Sequence, residues 1–343
     1  MVWRSNRSSG VARQKTANTK KKHRGGGLFV LVAIVGLAAV VALVLVVTGF
    51  RFPFGGSDDP FAGKDLYVYP SSSAVMAAEE AKGTASSDAL DTLAKTPTAI
   101  WLLPEAHPTA QIESFVADIE DDAARKVQLP VFVVYGIPSR DCGNFSAGGA
   151  AAQDYPHWIA AIAKGIGARP TVLIVEPDSL ALAPSCKTVD ATTAFLEAAT
   201  AALTAPGTTI YLDGGHSHWL PAAAMATLLE QAGVDRVRGF VTNVSNYNAT
   251  ANEQAYGEQL SGLLGGAHYV IDTGRNGNGS TGEWCNPAGR RIGDTPSGVV
   301  GHTHEDANLW VKNPGESDGN CNGGPAAGQW WPDDAIQLVR GGS

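Results

Sequence analysis

Short apolar, β-branched runs recur through most of the chain. They are TAIWLL (98–103), VFVVYG (131–136), VLIVEP (172–177), TIYLDG (209–214), RGFVTN (238–243), HYVIDT (268–273) and NLWVKN (308–313). Between them lie stretches such as AQIESFVADIEDDAARKVQ (110–128) and ATTAFLEAATAALTA (191–205), whose apolar residues return at helical spacing. Strand and helix alternating in this way predict parallel βα units. Closed into a ring, the seven runs form an α/β, TIM-barrel-like (β/α) barrel, irregular because it has seven strands and not eight. An open doubly wound sheet is the competing arrangement. No G-x-G-x-x-G follows a strand, which disfavours a dinucleotide fold.

The N-terminus has a different pattern. Residues 1–26 carry eight basic residues and no acid, and Gly25 to Phe50 carries no charge. The run LFVLVAIVGLAAVVALVLVVT (28–48) is long enough to cross a bilayer as a helix. A basic flank before it places the N-terminus in the cytoplasm and exports the rest of the chain. The expected division is a basic cytoplasmic tail (1–27), a transmembrane helix or signal anchor (28–50), a linker (51–59) and a catalytic domain (60–343). No A-x-A site follows the run, so an uncleaved anchor is favoured over a cleaved signal and a secreted product. The membrane is then a partner of the chain.

Beyond Arg51 the chain holds 16 basic and 33 acidic residues, a net charge near −17. That excludes nucleic acid as a partner and suits a soluble, monomeric domain acting on a neutral molecule. The four cysteines, Cys142, Cys186, Cys285 and Cys321, fit export. They form no C-x-x-C pair, so a zinc site is poorly supported. They allow three pairings; the sequential one would close spans of 44 and 36 residues, each stabilising the fold by about 4 kcal/mol in the chain-entropy model.

Polar residues gather where the runs end. Tyr135, Glu176 with Asp178, Asp213, Asn243, Asp272 and Lys312 fall at or just past their C-terminal ends, the catalytic face of a βα barrel. A single carboxylate there is a helix cap; several at successive strand ends converge on one opening. Asp141, Glu316 and Asp318 add further carboxylates, and Trp101, Trp219 and Trp284 lie near the same loops. Paired carboxylates serve glycosidic cleavage, one as acid and one as base or nucleophile. Flat aromatic rings stack on the apolar faces of sugars.

These segments resemble glycoside hydrolase family 6, the endoglucanases and cellobiohydrolases that cut β-1,4-glucans. The motifs, in order, are VVYGIPSRDCGNFSAGG, VLIVEPDSLA, YLDGGHSHWL, GFVTNVSNYN, VIDTGRNGNG, EWCNPAGRRIG and LWVKNPGESDG, within about residues 60–340. The resemblance implies a distorted seven-stranded α/β barrel, inversion of the anomeric carbon and no cofactor. It implies that Asp178 is the general acid and that Asp141 raises the acid's pKa and helps relay a proton. It makes Asp318 the carboxylate proposed as base, Asp213 an electrostatic support and Tyr135 a neighbour of the reacting sugar. Trp101, His216, Trp219, Asn246, Trp284, Lys312 and Glu316 match sugar-binding positions. Where members of the family often carry a Ser contacting the catalytic water, this chain has Ala147, preceded by Ser146, a candidate substitute. Leu103 stands where some members place an Asp that contacts the distal sugar.

Two other functions compete. His216 with His218 and His302 with His304 form His-x-His pairs of the kind that metal-dependent barrel hydrolases use. An inactive glucan-binding protein is the other. No separate carbohydrate-binding module accompanies the domain, which makes crystalline cellulose a less suitable target. If the cysteines pair in sequence, the two spans must also hold βα elements, leaving little chain to roof the site. An open cleft and endo action are therefore expected.

Overall fold

Side chains on a β-strand alternate between its two faces, and that alternation builds the fold. In this computed structural model the chain divides into units 1–56 and 57–343, and the structure describes residues 59–298 and 300–341. Among these, a short parallel pairing joins β1 (Asp65–Leu66) to β3 (Gln128–Leu129). The main sheet consists of β2 (Ile100–Leu102), β4 (Val131–Val134), β5 (Thr171–Val175), β6 (Thr208–Asp213), β7 (Gly239–Thr242), β8 (His268–Asp272) and β9 (Glu305–Leu309). They lie side by side in that order, every neighbouring pair parallel.

One set of alternate residues, including Val133, Ile174, Tyr211, Val241, Val270 and Leu309, fills the concave side of the curled sheet. The other set, including Phe132, Leu173, Leu212, Phe240 and Ile271, packs outward against helices such as Thr109–Lys126, Tyr155–Ile166 and Val189–Leu203. Continuing the inward parity to or past the strand ends reaches Leu103, Tyr135, Asp213, Asn243 and Asp272. The alternation that packs the core thus delivers polar groups to the concave opening.

The structure corrects four expectations. The ring is not closed: β2 and β9 are the two edges of the sheet and no ladder joins them. The edges touch where the Ala99 N–H donates to the Trp310 carbonyl at 3.0 Å and the Trp101 indole donates to the Val311 carbonyl at 2.9 Å. Asp272 on β8 takes the Val311 and Lys312 amides, which are then lost to a ladder with β2. The fold is accordingly a distorted, curled half-barrel. Second, the transmembrane helix, and with it the membrane as a partner and an anchored location, finds no support. No helix among the described residues is long and apolar enough to cross a membrane, and segments 1–27 and 28–50 lie outside those residues. Third, the last strand starts at Glu305, three residues before the run read from the sequence. Its start is acidic, and Asp306 is paired with Arg238 and accepts from the Tyr211 hydroxyl, so its charge is compensated where it is buried. Fourth, the β1–β3 pairing had no signal, since two-residue strands carry no period. The cysteines pair in sequence, Cys142 with Cys186 and Cys285 with Cys321.

Candidate active site

The turn after β5 holds two acidic residues in the left-handed backbone region, Glu176 at φ 51° and Asp178 at φ 68°. Non-glycine residues are rarely held there, and such strain tends to collect at functional sites. Glu176 turns to the helix side of the sheet and is fully buried. Its carboxyl accepts from the Gly136 and Ile137 amides and the Tyr155 hydroxyl. Burial pushes it up to about 7 despite these donors. Glu176 therefore fixes the turn after β4, which carries Tyr135, and stays out of the cleft.

Asp178 follows two residues later and is half-buried at the cleft floor. Its backbone N–H donates to Asp213 Oδ2 at 2.7 Å. Burial, then the charges of Asp213, Asp141 and Asp318, drive the Asp178 carboxyl well above its ordinary range, against the pull of Lys312. Asp213, 2% exposed, is pushed up to about 7 by burial, and the Asp178 and Gly215 amides limit the rise. This pair retains a proton at neutral pH.

Asp141 lies on a one-turn 3₁₀ segment, Asp141–Gly143. The Ser146 N–H and Oγ both donate to its Oδ2, at 2.9 and 2.8 Å. The Ser146 Oγ also meets the Tyr135 hydroxyl at 2.8 Å. Ser146 thus joins Asp141 to Tyr135. Arg140 secures this loop from behind. It donates to the Ser146 and Tyr135 carbonyls and pairs with Glu105, which also takes the Gly149 N–H.

Asp318 stands in the opposite electrostatic setting. Arg275 grips it through both terminal nitrogens, at 2.9 and 3.0 Å, and the Tyr247 hydroxyl and Asn286 N–H donate to Oδ2. Lys312 Nζ is 3.9 Å from Oδ1 and donates to the Ser317 carbonyl. Burial alone would raise the Asp318 carboxyl, but the cations and donors outweigh it and hold it below the usual range. Two carboxylates of one cleft are thus pushed in opposite directions.

A cleft of about 1500 Å³ brings these groups together. Tyr135, Asp141, Asp178, Asp318, Trp101, Ser146, His216, Trp219, Asn246, Trp284, Lys312 and Glu316 all line it, and Asp213 lies beneath, holding Asp178. Trp101 meets the Tyr135 ring edge-on at 5.1 Å. Glu316 accepts from the Ser73 hydroxyl at 3.1 Å, and Asn246 Nδ2 donates to the Val244 carbonyl. Trp284 is half exposed and tilts against Phe145 at 5.8 Å, while His216 and Trp219 form a second ring pair at 5.4 Å. Burial first, then His218, pushes His216 down to about 4, leaving a neutral ring.

Asn243 and Asp272, at strand ends, serve the backbone. Asn243 ties Asn248 to the Asp272 carbonyl. Asp272 accepts four amides, from Ser245, Gly274, Val311 and Lys312. Arg275, Tyr247 and Asn286 were missed, because an Arg in TGRNGNG or a Tyr in SNYN looks like loop until the fold sets it against a carboxylate. No sequence signal marked them, since each lies more than 30 residues from Asp318 along the chain.

The His-x-His pairs do not converge, and the metal-dependent reading falls with that. His216 and His218 lie on the cleft, with His218 at 2.8 Å from Asn248 Oδ1. His304 pairs with Glu258, and His302 is exposed. Among the described residues no group of three or more ligand-type side chains could hold a metal ion.

Comparison with known proteins agrees with this geometry. The model for "Glycosyl hydrolases family 6" matches residues 61–342. Endoglucanase A of Cellulomonas fimi is 45% identical over 276 residues, 80% of this chain and 61% of that protein, so the chain spans under two thirds of that relative. Endoglucanase 1 of Streptomyces halstedii is 40% identical over 89% of this chain and 97% of its own length. Among solved structures, the endoglucanase Cel6 from Mycobacterium tuberculosis, in complex with methyl-cellobiosyl-4-deoxy-4-thio-β-D-cellobioside, is 44% identical. It superposes with a TM-score of 0.80 over 83% of this chain and 99% of that one. The catalytic core of cellobiohydrolase Cel6A from Chaetomium thermophilum gives 0.73 at 28% identity over 83% and 99%.

Proposed function

The chain belongs to glycosyl hydrolases family 6, and from that membership we propose that it hydrolyses β-1,4-glucosidic bonds in cellulose or related β-glucans, cutting within the chain and inverting the anomeric carbon. The observation that carries the reading is the divergence of two carboxylates in one cleft: Asp178 keeps its proton and Asp318 loses it. Titratable groups pushed apart in this way mark an acid and a base.

Asp178 protonates the glycosidic oxygen as the bond breaks. The charge of Asp213 and Asp141 keeps that proton available near neutral pH. Water attacks from the opposite face of the sugar, with Asp318 as the ionised carboxylate on that side. Asp318 takes up the proton that the water loses, relayed by Asp141 and Ser146, and Ser146 takes the place left by Ala147 because its hydroxyl already binds Asp141. Trp101, Trp219 and Trp284 stack sugar rings while Lys312, Glu316, His216 and Asn246 orient hydroxyls.

Endo action is supported by the contents of the first disulfide-bounded span. It holds helix Tyr155–Ile166, β5 and helix Ser179–Cys186, which leaves residues 144–154 as its one long loop, whereas the second span holds β9 alone. Relatives named endoglucanases share 34–45% identity, and fungal relatives named cellobiohydrolases share 32–33%. Both disulfides suit an extracellular, oxidising setting.

Proton NMR of a β-glucan digest tests the mechanism, and the α-anomer is expected first; an early β-anomer overturns inversion. Viscosity of carboxymethyl-cellulose against reducing ends tests the cutting mode. An early fall in viscosity with few new ends is expected, and cellobiose release at nearly constant viscosity would show exo action.

A further inference from the structure

We infer, building on the glucan-hydrolase reading, that the cleft holds an additional pyranose subsite beyond Trp101, on an aromatic patch formed by Tyr69, His107 and Phe115. Sheet order gives its direction. From β5 through β4 to β2 the cleft-lining residues past the strands run from Asp178 to Tyr135 and on to Leu103, two residues from Trp101. The turn after β2 then folds back, with the Ala106 and His107 amides both donating to the Leu103 carbonyl. The Trp158 indole donates to the His107 carbonyl at 2.9 Å and anchors the turn.

This brings the His107 ring onto Phe115 of helix Thr109–Lys126, with centroids 3.7 Å apart and planes 17° from parallel. Tyr69 meets Phe115 edge-on at 6.3 Å. All three rings are half-buried and line the same cleft as Trp101. The patch is uncharged. Burial lowers His107 and keeps its ring neutral, while the Glu105 carboxylate is turned to Arg140 and the Gly149 amide. Leu103 and Ala106 complete an apolar wall. Flat, neutral rings in a groove that already takes a sugar chain suit the C–H face of one more pyranose, which buries apolar surface there while its hydroxyls stay in water. Leu103, in place of an acidic residue, extends that wall and makes no polar contact with the sugar.

The test is calorimetric titration of the full chain carrying Asp178→Ala with cellotriose to cellohexaose. Affinity should step up about tenfold, on the order of 1.4 kcal/mol, at the length that reaches the patch. Adding Phe115→Leu or His107→Ala should flatten that step and leave shorter oligosaccharides within about twofold; Phe115→Leu keeps apolar volume in case an alanine at this position fails to fold. A step that persists in both variants, or an equal loss at every length, overturns the subsite. Hydrolysis of cellohexaose by the unaltered chain is read separately. Cleavage without a length step overturns the subsite alone, and a step without cleavage overturns the hydrolase reading alone.

Discussion

The main-chain N–H of Asp178 donates to Asp213 Oδ2 at 2.7 Å, so one carboxylate positions the backbone of the other and also opposes its ionisation. Asp213→Asn removes the repulsion and keeps the shape. The Asp178 carboxyl should then ionise at lower pH, and the alkaline limb of kcat should move acidward by about one pH unit. A pH–rate profile on a soluble β-glucan checks this; an unmoved limb would mean that Asp213 does not govern the acid.

Asp178→Ala should lower kcat on unactivated glucans by roughly 10²–10⁴, the worth of general acid assistance. Binding of cello-oligosaccharides should change little, and aryl glycosides whose leaving groups need no proton should lose much less. Steady-state kinetics on both substrate types decides it, and near-normal turnover of unactivated glucan would place the acid elsewhere.

Stability should favour mildly acidic pH. Asp178, Asp213 and Glu176 are raised by burial above the value of about 4 expected in the unfolded chain. A group raised on folding gives stability that is full below its unfolded pKa and lost as pH climbs through its folded one, near 7 for Asp213 and Glu176. Asp318 runs the other way: its contribution is present above about pH 4 and lost below it. Melting temperature should therefore be higher at pH 5 than at pH 8, and scanning calorimetry across that range would show the reverse if these carboxyls were ionised throughout.

Gly319 follows Asp318 at φ 152°, and a Cβ there would lie 2.8 Å from the Phe145 Cβ. The contact joins the loop of Asp318 to that of Asp141, because Phe145 precedes Ser146. Gly319→Ala should push the loops apart and cut kcat about tenfold or more, since small misplacements are costly in catalysis. The melting temperature should fall by only a few degrees. Unchanged kcat would show that the spacing of the loops is not set here.

The strand runs between 98 and 273 were legible because parallel strands buried on both faces read as continuous apolar stretches. The carboxylates at their ends were legible because βα architecture gathers those ends on one face. Which carboxylate is an acid and which an anchor was not. Glu176 and Asp178 sit two residues apart, yet one binds main-chain amides out of sight of the cleft and the other lines it. The left-handed backbone at both positions separates them, and neighbouring sequence does not encode that turn strongly. Arg275 escaped notice for a similar reason, since its partner Asp318 is 43 residues away. The open seam was hidden because it depends on where two amides after β9 find their acceptor.

That seam has a consequence for ligand binding. An unzipped edge presents unpaired main-chain groups that other chains can match. Here the Trp101 indole holds the Val311 carbonyl, one strand across from its own backbone. The ring proposed to receive a sugar is therefore also a rivet between the two edges of the main sheet. A bound glucan bearing on Trp101 restrains both edges at once, so occupancy of the groove and slow hydrogen exchange at the Ala99 amide should rise together.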